Sequence, residues 1–269
     1  MDEDHVLLPI VSVWIKSRGE VRGKGKGGAR EDGPVRKVRH HGMNILPHFP
    51  SVKNGAVIAC ESTIESDLCA ILELTPWVTR YRPQPFTIVA AFEDGSHHEY
   101  TPDMDVSGTI DDASVALLVE CKPAALVEGL DVRRQVAIGR AWCATSGHQF
   151  LLVTEEQLRA GSFLANARIL YRYARQVVPV ALLRAIGDIV RAHPAGIPFG
   201  VLAAQLAVIA PAAPAPSAPA PTTPRGALYA LLCRHALATD LSAPLTDDSP
   251  ILLPEAGQAR AAAGPLALN

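Results

Sequence analysis

A chain of 269 residues has room for one sizeable core and a smaller unit, or for two small domains. Its five cysteines form an odd set without a C-x-x-C pair, which argues against a disulfide framework or a zinc knuckle and predicts reduced thiols in the cytoplasm. The apolar segment from Val6 to Ile15 is too short to span a membrane and follows an acidic start, so neither a membrane helix nor a signal peptide is expected.

The net charge of −2 conceals a strongly basic segment near the N-terminus. Nine basic and three acidic residues lie between Lys16 and Arg39, which gives this Gly-rich arm a local charge of +6. Such an arm is typical of phosphate binding, and it fits equally a solvated, disordered segment without a partner. The candidate DNA-binding residues are Lys24, Lys26, Arg36, Lys37 and Arg39.

The main domain is predicted over residues 57–176, after a partly disordered extension that covers residues 1–56. Ser62-Thr63-Ile64-Glu65 has the form of a capping box and begins a helix of roughly residues 62–74. The next predicted elements are a strand from Phe86 to Phe92, a turn at Glu93–Ser96 and a return strand from His98 to Val106.

The run from Val115 to Pro123 predicts a buried strand, because it is continuously hydrophobic over five residues and proline ends the strand ladder. It follows a turn at Asp111-Asp112. A helix from about Asp131 to Ser146, a short strand from Phe150 to Val153 and a helix that begins at Glu155 come next. This order predicts an α/β domain with a mixed sheet flanked by helices.

The last part of the chain predicts a small winged-helix-like domain over residues 177–253. An Ala/Pro-rich linker at residues 211–224 interrupts it, and a disordered tail covers residues 254–269. The predicted elements are helices over Val180–Val190, Pro198–Ile209 and Arg225–Thr239, followed by a hairpin over Asp240–Leu253.

The end of the buried strand carries the most informative chemistry. Strand side chains alternate, so Glu120 and Lys122 leave the same face of the sheet. Asp103, which follows Thr101-Pro102, would come from a neighbouring strand. Two carboxylates in this position suit Mg²⁺, with the lysine close to the attacking water or the scissile phosphate.

Each of these residues also has a structural explanation. Glu65 could simply close the capping box with Ser62, and Asp103 could be a Pro-Asp turn former. Glu120 and Lys122 could form a surface ion pair on an edge strand, although the apolar run before them argues against an edge.

Three further sets of polar residues are candidates for a functional role. Gln135 lies on the helix after the lysine and could face the site, but a solvent-facing position is favoured. His97 and His98 are adjacent on a strand, so they point to opposite faces and are expected to be surface residues rather than metal ligands. Arg184 and Arg191 are too few to decide whether the C-terminal helices bind DNA.

Four segments together resemble the TnsA family, the endonuclease subunit of Tn7-like heteromeric transposases, within the PD-(D/E)xK restriction-endonuclease-like fold. They are Ser62-Thr63-Ile64-Glu65, Gln84-Pro85, Tyr100-Thr101-Pro102-Asp103 and Val119-Glu120-Cys121-Lys122-Pro123. The resemblance implies that Glu65, Asp103 and Glu120 bind two metal ions, Mg²⁺ or Mn²⁺, and that Lys122 is the catalytic lysine.

The resemblance also implies hydrolysis of phosphodiesters at the 5′ ends of a transposon in a bacterial cytoplasm. The implied partners are transposon-end DNA, a DDE-type transposase subunit similar to TnsB and an AAA+ regulator similar to TnsC. Two alternatives remain open: a PD-(D/E)xK nuclease of a defence or repair system, and a non-cutting DNA-binding assembly subunit with the same fold.

Overall fold

The computed structural model describes residues 8–16, 47–209 and 222–254. The chain divides into two compact units, one of Met1–Leu68 with Val78–Leu158 and the other of Cys69–Trp77 with Arg159–Asn269. The candidate DNA-binding residues of the basic arm lie outside the described residues, as do most of the linker and the tail. No helix within the described ranges combines the length and the apolar content that crossing a membrane requires.

The first unit is a mixed α/β structure, as predicted. Its elements, some of which continue into the second unit, are β1 (Ile10–Ile15), β2 (His48–Ser51), β3 (Ala56–Ala59), α1 (Thr63–Leu74), β4 (Val78–Pro83), β5 (Ile88–Phe92), β6 (His97–Tyr100), β7 (Met104–Ile110), β8 (Ala113–Cys121), α2 (Leu130–Ser146), β9 (Gln149–Val153) and α3 (Glu155–Arg159).

The predicted buried strand is β8, and it lies inside a four-stranded mixed sheet of order β4-β7-β8-β9. β8 pairs antiparallel with β7 and parallel with β9, which confirms that it is not an edge strand. Leu117, Leu118 and Val119 are completely buried, because both faces of this strand are covered. Asp111 and Asp112 form the tight turn before it, with φ of 46° and 65°.

The single return strand predicted from His98 to Val106 is wrong. The structure has two strands there: β6 belongs to the sheet β1-β5-β6, and β7 belongs to the four-stranded sheet. The chain leaves one sheet for the other at Thr101–Asp103, where the buried Pro102 has no N–H group to donate to a ladder. This break places Asp103 directly before β7.

The N-terminal extension is more structured than its composition indicated. β1 pairs antiparallel with β5, from Ile10 opposite Phe92 to Ile15 opposite Ile88, and β2 pairs with β3. Ile10 and Val13 pack against a buried cluster that includes residues of α2. The sequence did not predict β1, because a Gly-rich basic segment follows it and its partner strand lies more than seventy residues away along the chain.

Helix α2 covers the sheet and leaves no room for a larger side chain at Gly139. A Cβ atom there would lie 2.2 Å from a ring carbon of Phe150. Gly139→Ala is therefore expected to destabilise the protein by about 1–3 kcal/mol, measured by urea unfolding. Gly187→Ala is the matched control, because its Cβ would meet only the Arg191 guanidinium at 3.1 Å and a helical alanine is favoured over glycine. Equal effects of the two changes would contradict this packing.

The second unit is mainly helical. Its further elements are α4 (Phe163–Tyr171), α5 (Val180–Arg191), β10 (Ile197–Pro198), α6 (Phe199–Ile209), α7 (Pro224–Cys233) and β11 (Pro250–Ile251). The third predicted C-terminal helix is too long: α7 ends at Cys233, and His235 has a φ of 56°, which a helix cannot continue through.

The hairpin predicted within Asp240–Leu253 is also wrong in its limits. β11 pairs with β10, and the isolated bridge to Leu252 comes from Ala238, before the predicted start. The intervening residues instead make local side-chain turns, in which Asp240 accepts from the Ser242 N–H group at 2.8 Å.

Candidate active site

The ends of β7 and β8 bring the predicted site residues together within the first unit. Met104 pairs with Val119, so Asp103, just before β7, lies beside the end of β8. The Cys121 N–H group donates to Asp103 Oδ2 at 2.8 Å, and this bond fixes the carboxylate. The Pro-Asp step therefore positions a half-buried carboxylate next to Glu120, and does more than turn the chain.

Glu120 and Lys122 leave the same face of the sheet, as predicted. Lys122 Nζ lies 2.5 Å from Glu120 Oε1, and the Glu120 side chain is only 1% exposed. The Tyr100 hydroxyl donates to the other carboxylate oxygen of Glu120 at 2.7 Å. This is a buried, oriented ion pair at the end of a central strand, and the alternative of a surface pair on an edge strand is wrong.

Glu65 does close the capping box of α1. Its N–H group donates to Ser62 Oγ at 3.1 Å, the Ser62 hydroxyl donates to Glu65 Oε1 at 2.9 Å, and the Glu61 N–H group donates to Glu65 Oε2 at 2.9 Å. Glu65 is nevertheless buried, and the charge of Asp103 raises its pKa. The capping role thus coexists with an electrostatic interaction between Glu65 and Asp103.

The carboxyl groups of this site hold their protons unusually tightly. Burial and the charge of Asp103 raise the pKa of Glu65 to about 7. Burial and the charge of Glu120 likewise raise the pKa of Asp103, and burial raises the pKa of Glu120 although Lys122 opposes that rise. Burial disfavours the charged form of Lys122, but Glu120 more than offsets this and the pKa of Lys122 is raised. Lys122 therefore offsets the charge of two of these carboxyl groups, Asp103 and Glu120.

The raised pKa of Glu65 predicts that the metal-free protein loses stability as the pH increases. The folded state binds the proton more tightly than the unfolded state, so the stabilisation is complete below about pH 4.5 and is lost as the pH rises through about 7. Urea unfolding in EDTA should give a wild-type loss between pH 5 and pH 8 that exceeds the loss in Glu65→Gln by up to about 3 kcal/mol. Equal losses in the two proteins would contradict the assignment.

The donor set fits a divalent cation. Within the described ranges, no three His, Cys, Asp or Glu side chains lie close enough to bind one ion together. Mg²⁺ usually takes only one or two carboxylates and fills its other positions with water and substrate phosphate, so Asp103 and Glu120 suffice as protein ligands. Burial and the neighbouring carboxylates raise the pKa of the Cys121 thiol, which keeps it neutral and unsuited to binding metal.

Three residues that support the site have roles that the sequence did not predict, although Gln84 and Tyr100 belong to the segments that resemble the TnsA family. Tyr100 orients Glu120, and its position before Thr101-Pro102-Asp103 was the only available signal. The charge of Glu61 raises the pKa of both Glu65 and Asp103. The Gln84 N–H group donates to the Asp103 carbonyl oxygen at 3.0 Å, and Gln84 has a strained φ of 43°.

The remaining candidates from the sequence, Gln135, His97, His98 and Arg191, lie in different environments. Gln135 Oε1 is buried and accepts no hydrogen bond from residues 8–16, 47–209 or 222–254, so the favoured solvent-facing position does not describe this atom. His97 contacts Trp14 and His98 contacts Phe92, both edge to face, so the two rings have different neighbours, as predicted from strand alternation. Arg191 is exposed and paired with Asp188 on its own helix at 2.6 Å.

Part of the chain is similar to a known protein family. Residues 75–155 match the family described as TnsA-like endonuclease N terminal. The matched segment contains Asp103, Glu120 and Lys122 and begins after Glu65. No curated protein matches the chain. Residues 75–155 are therefore similar to the N-terminal domain of TnsA-like endonucleases.

Proposed function

We propose that this chain is the metal-dependent DNA endonuclease subunit of a Tn7-like heteromeric transposase, and that it hydrolyses phosphodiesters at the 5′ ends of the transposon. The observation that carries the proposal is the meeting of Asp103, Glu120 and Lys122 at the ends of two paired strands, inside the segment that matches the TnsA-like endonuclease family. The restriction-endonuclease-like fold assigned to this unit is part of the same proposal.

Asp103 and Glu120 are the proposed ligands of Mg²⁺ or Mn²⁺. When bound, the ion would polarise the scissile phosphate and favour a hydroxide nucleophile at neutral pH. The Cys121 N–H group keeps Asp103 in place, and the Tyr100 hydroxyl does the same for Glu120. Both ligands are thus oriented before substrate arrives, which lowers the cost of reaching the transition state. Glu65 is the proposed carboxylate of a second ion position.

Lys122 acts in this proposal as a fixed positive charge. Its raised pKa keeps the amine protonated at neutral pH in the metal-free protein, so it is poorly suited to remove a proton from water. A protonated lysine beside Glu120 can instead orient the attacking water and offset the negative charge that develops on the phosphate.

The second unit supports a winged-helix-like assignment. The order α5, β10, α6, α7, the Ala238 bridge and β11 is three helices with a small sheet, in which β10 pairs with β11 and Ala238 pairs with Leu252. In this arrangement residues 239–249 would form the wing. The proposal also includes the TnsB-like and TnsC-like partners and contact of the basic arm with DNA. It further includes binding of DNA or of the regulator by the second unit.

The test is strand cleavage by the full chain, reconstituted with the transposase and regulator encoded beside it, on end-labelled DNA that carries the transposon ends. The proposal predicts Mg²⁺-dependent cuts that map to the 5′ ends and disappear in EDTA. Cuts elsewhere that need no partner would favour a defence or repair nuclease. Assembly on the ends without any cut by this chain would favour a non-cutting subunit.

A further inference from the structure

An open groove of about 330 Å³ lies beside α2 in the first unit. Val127, Val136 and Leu152 form its apolar part, and Arg133, Arg140 and Glu128 supply its charges. These residues together define the α2 groove. None of them belongs to the metal and lysine site described above.

The α2 groove adjoins the candidate active site through the sheet. Leu152 of β9 pairs in register with Glu120 of β8, so the two backbones are one strand spacing apart, about 4.8 Å. Side chains directly opposite on neighbouring strands leave the same face of a sheet. The Lys122 N–H group also donates to the Val153 carbonyl oxygen at 3.0 Å, which holds this end of β8 against β9. A nucleic-acid strand that leaves the active site across β9 would enter the α2 groove.

The two arginines of the groove are available to an anionic ligand. Arg133 and Arg140 are exposed, and neither has a carboxylate within ion-pair distance in the part of the chain that the structure describes. They are seven residues apart, which is two helical turns and about 10.5 Å along α2. Their neighbour Arg134 differs, because it pairs with Asp131 at 3.1 Å. Unpaired guanidinium groups on one face of a helix are well suited to phosphates.

We propose that the α2 groove binds the sugar-phosphate backbone of the DNA strand that leads away from the scissile phosphate. This inference rests on the proposed nuclease function and adds a substrate-binding surface to it. Phosphates rise about 3.4 Å per nucleotide along one strand, so the Arg133–Arg140 spacing spans about three nucleotides. The apolar residues between the arginines would pack against sugar carbons.

The proposal is tested by binding of the full chain to a duplex of about 30 base pairs in EDTA, measured at several salt concentrations. The double variant Arg133→Ala/Arg140→Ala should weaken binding at least about tenfold and reduce the slope of log K against log [salt] by about 2, since each lost phosphate contact removes about 0.9. Arg134→Ala, on the same helix but already paired with Asp131, should stay within about twofold of wild type. Glu128→Gln should tighten binding, because it removes a carboxylate that repels phosphate.

Four outcomes would overturn the groove proposal. They are no measurable binding by wild type at low salt, an unchanged slope in the double variant, an equal loss in Arg134→Ala, and unchanged DNA binding together with loss of a protein partner, which would assign the groove to that partner. Each is distinguishable from failure of the proposed function, because cleavage that depends on Lys122 can persist when the groove arginines make no difference.

Discussion

Replacing Lys122 with alanine is expected to reduce DNA cleavage at least about a hundredfold. Lys122 contacts Glu120 in the candidate site, at 2.5 Å, and it supplies the positive charge that we propose offsets the charge of the transition state. The measurement is the rate of strand cleavage by the reconstituted complex in Mg²⁺, compared with assembly of the same complex on DNA. Loss of cleavage with retained assembly is the expected result.

Two controls separate catalysis from folding. Arg134→Ala removes a cation that pairs with the exposed Asp131 at 3.1 Å on α2, and its cleavage rate should be unchanged. Lys122→Ala leaves Glu120 buried without its cation, which destabilises the fold. Adding Glu120→Gln should restore stability without restoring cleavage. Cleavage by Lys122→Ala at the wild-type rate would show that the lysine is not catalytic.

Replacing Asp103 with asparagine is expected to weaken Mn²⁺ binding at least about tenfold, measured by calorimetry on the full chain. Asparagine removes the negative charge but keeps an oxygen that can accept from the Cys121 N–H group, so the strand ends should retain their positions. Glu120→Gln should behave in the same way, because its amide oxygen can still accept from the Tyr100 hydroxyl.

The matched control is Asp105→Asn. Asp105 lies in β7, two residues after Asp103, and is paired with Arg82 at 3.1 Å. Its replacement should therefore change Mn²⁺ affinity less than about threefold. The raised pKa of Asp103 adds a pH signature. Mn²⁺ must displace a proton that the folded protein holds tightly, so wild-type affinity should rise between about pH 6 and pH 8 with release of protons. Identical Mn²⁺ binding by Asp103→Asn and wild type would remove Asp103 from the site.

Local patterns in the sequence predicted the centre of the fold well. Continuous hydrophobicity identified β8, the capping box located the start of α1, and period-2 alternation placed Glu120 and Lys122 on one face. Each of these signals depends on residues close together in the chain, where side-chain direction follows directly from secondary structure.

Features that depend on distant partners could not be predicted. β1 pairs with β5, although the basic arm separates the two strands in the sequence. In the second unit, β10 pairs with β11, with Pro198 opposite Pro250. The hydrogen bonds of Asp103 with Cys121 and of Tyr100 with Glu120 also join separate strands. Short sequence motifs do not specify such tertiary contacts, so the residues that position Asp103 and Glu120 could be identified only from the fold.

The central claim is that Asp103 and Glu120 form a metal centre beside Lys122. The most direct measurement is anomalous diffraction from crystals of the full chain soaked in Mn²⁺. We expect a strong anomalous peak between the Asp103 and Glu120 carboxylates, with Lys122 Nζ adjacent, and loss of that peak in Asp103→Asn crystals. A fully soaked crystal with no peak at these carboxylates, or with its main peak elsewhere in the chain, would contradict the account.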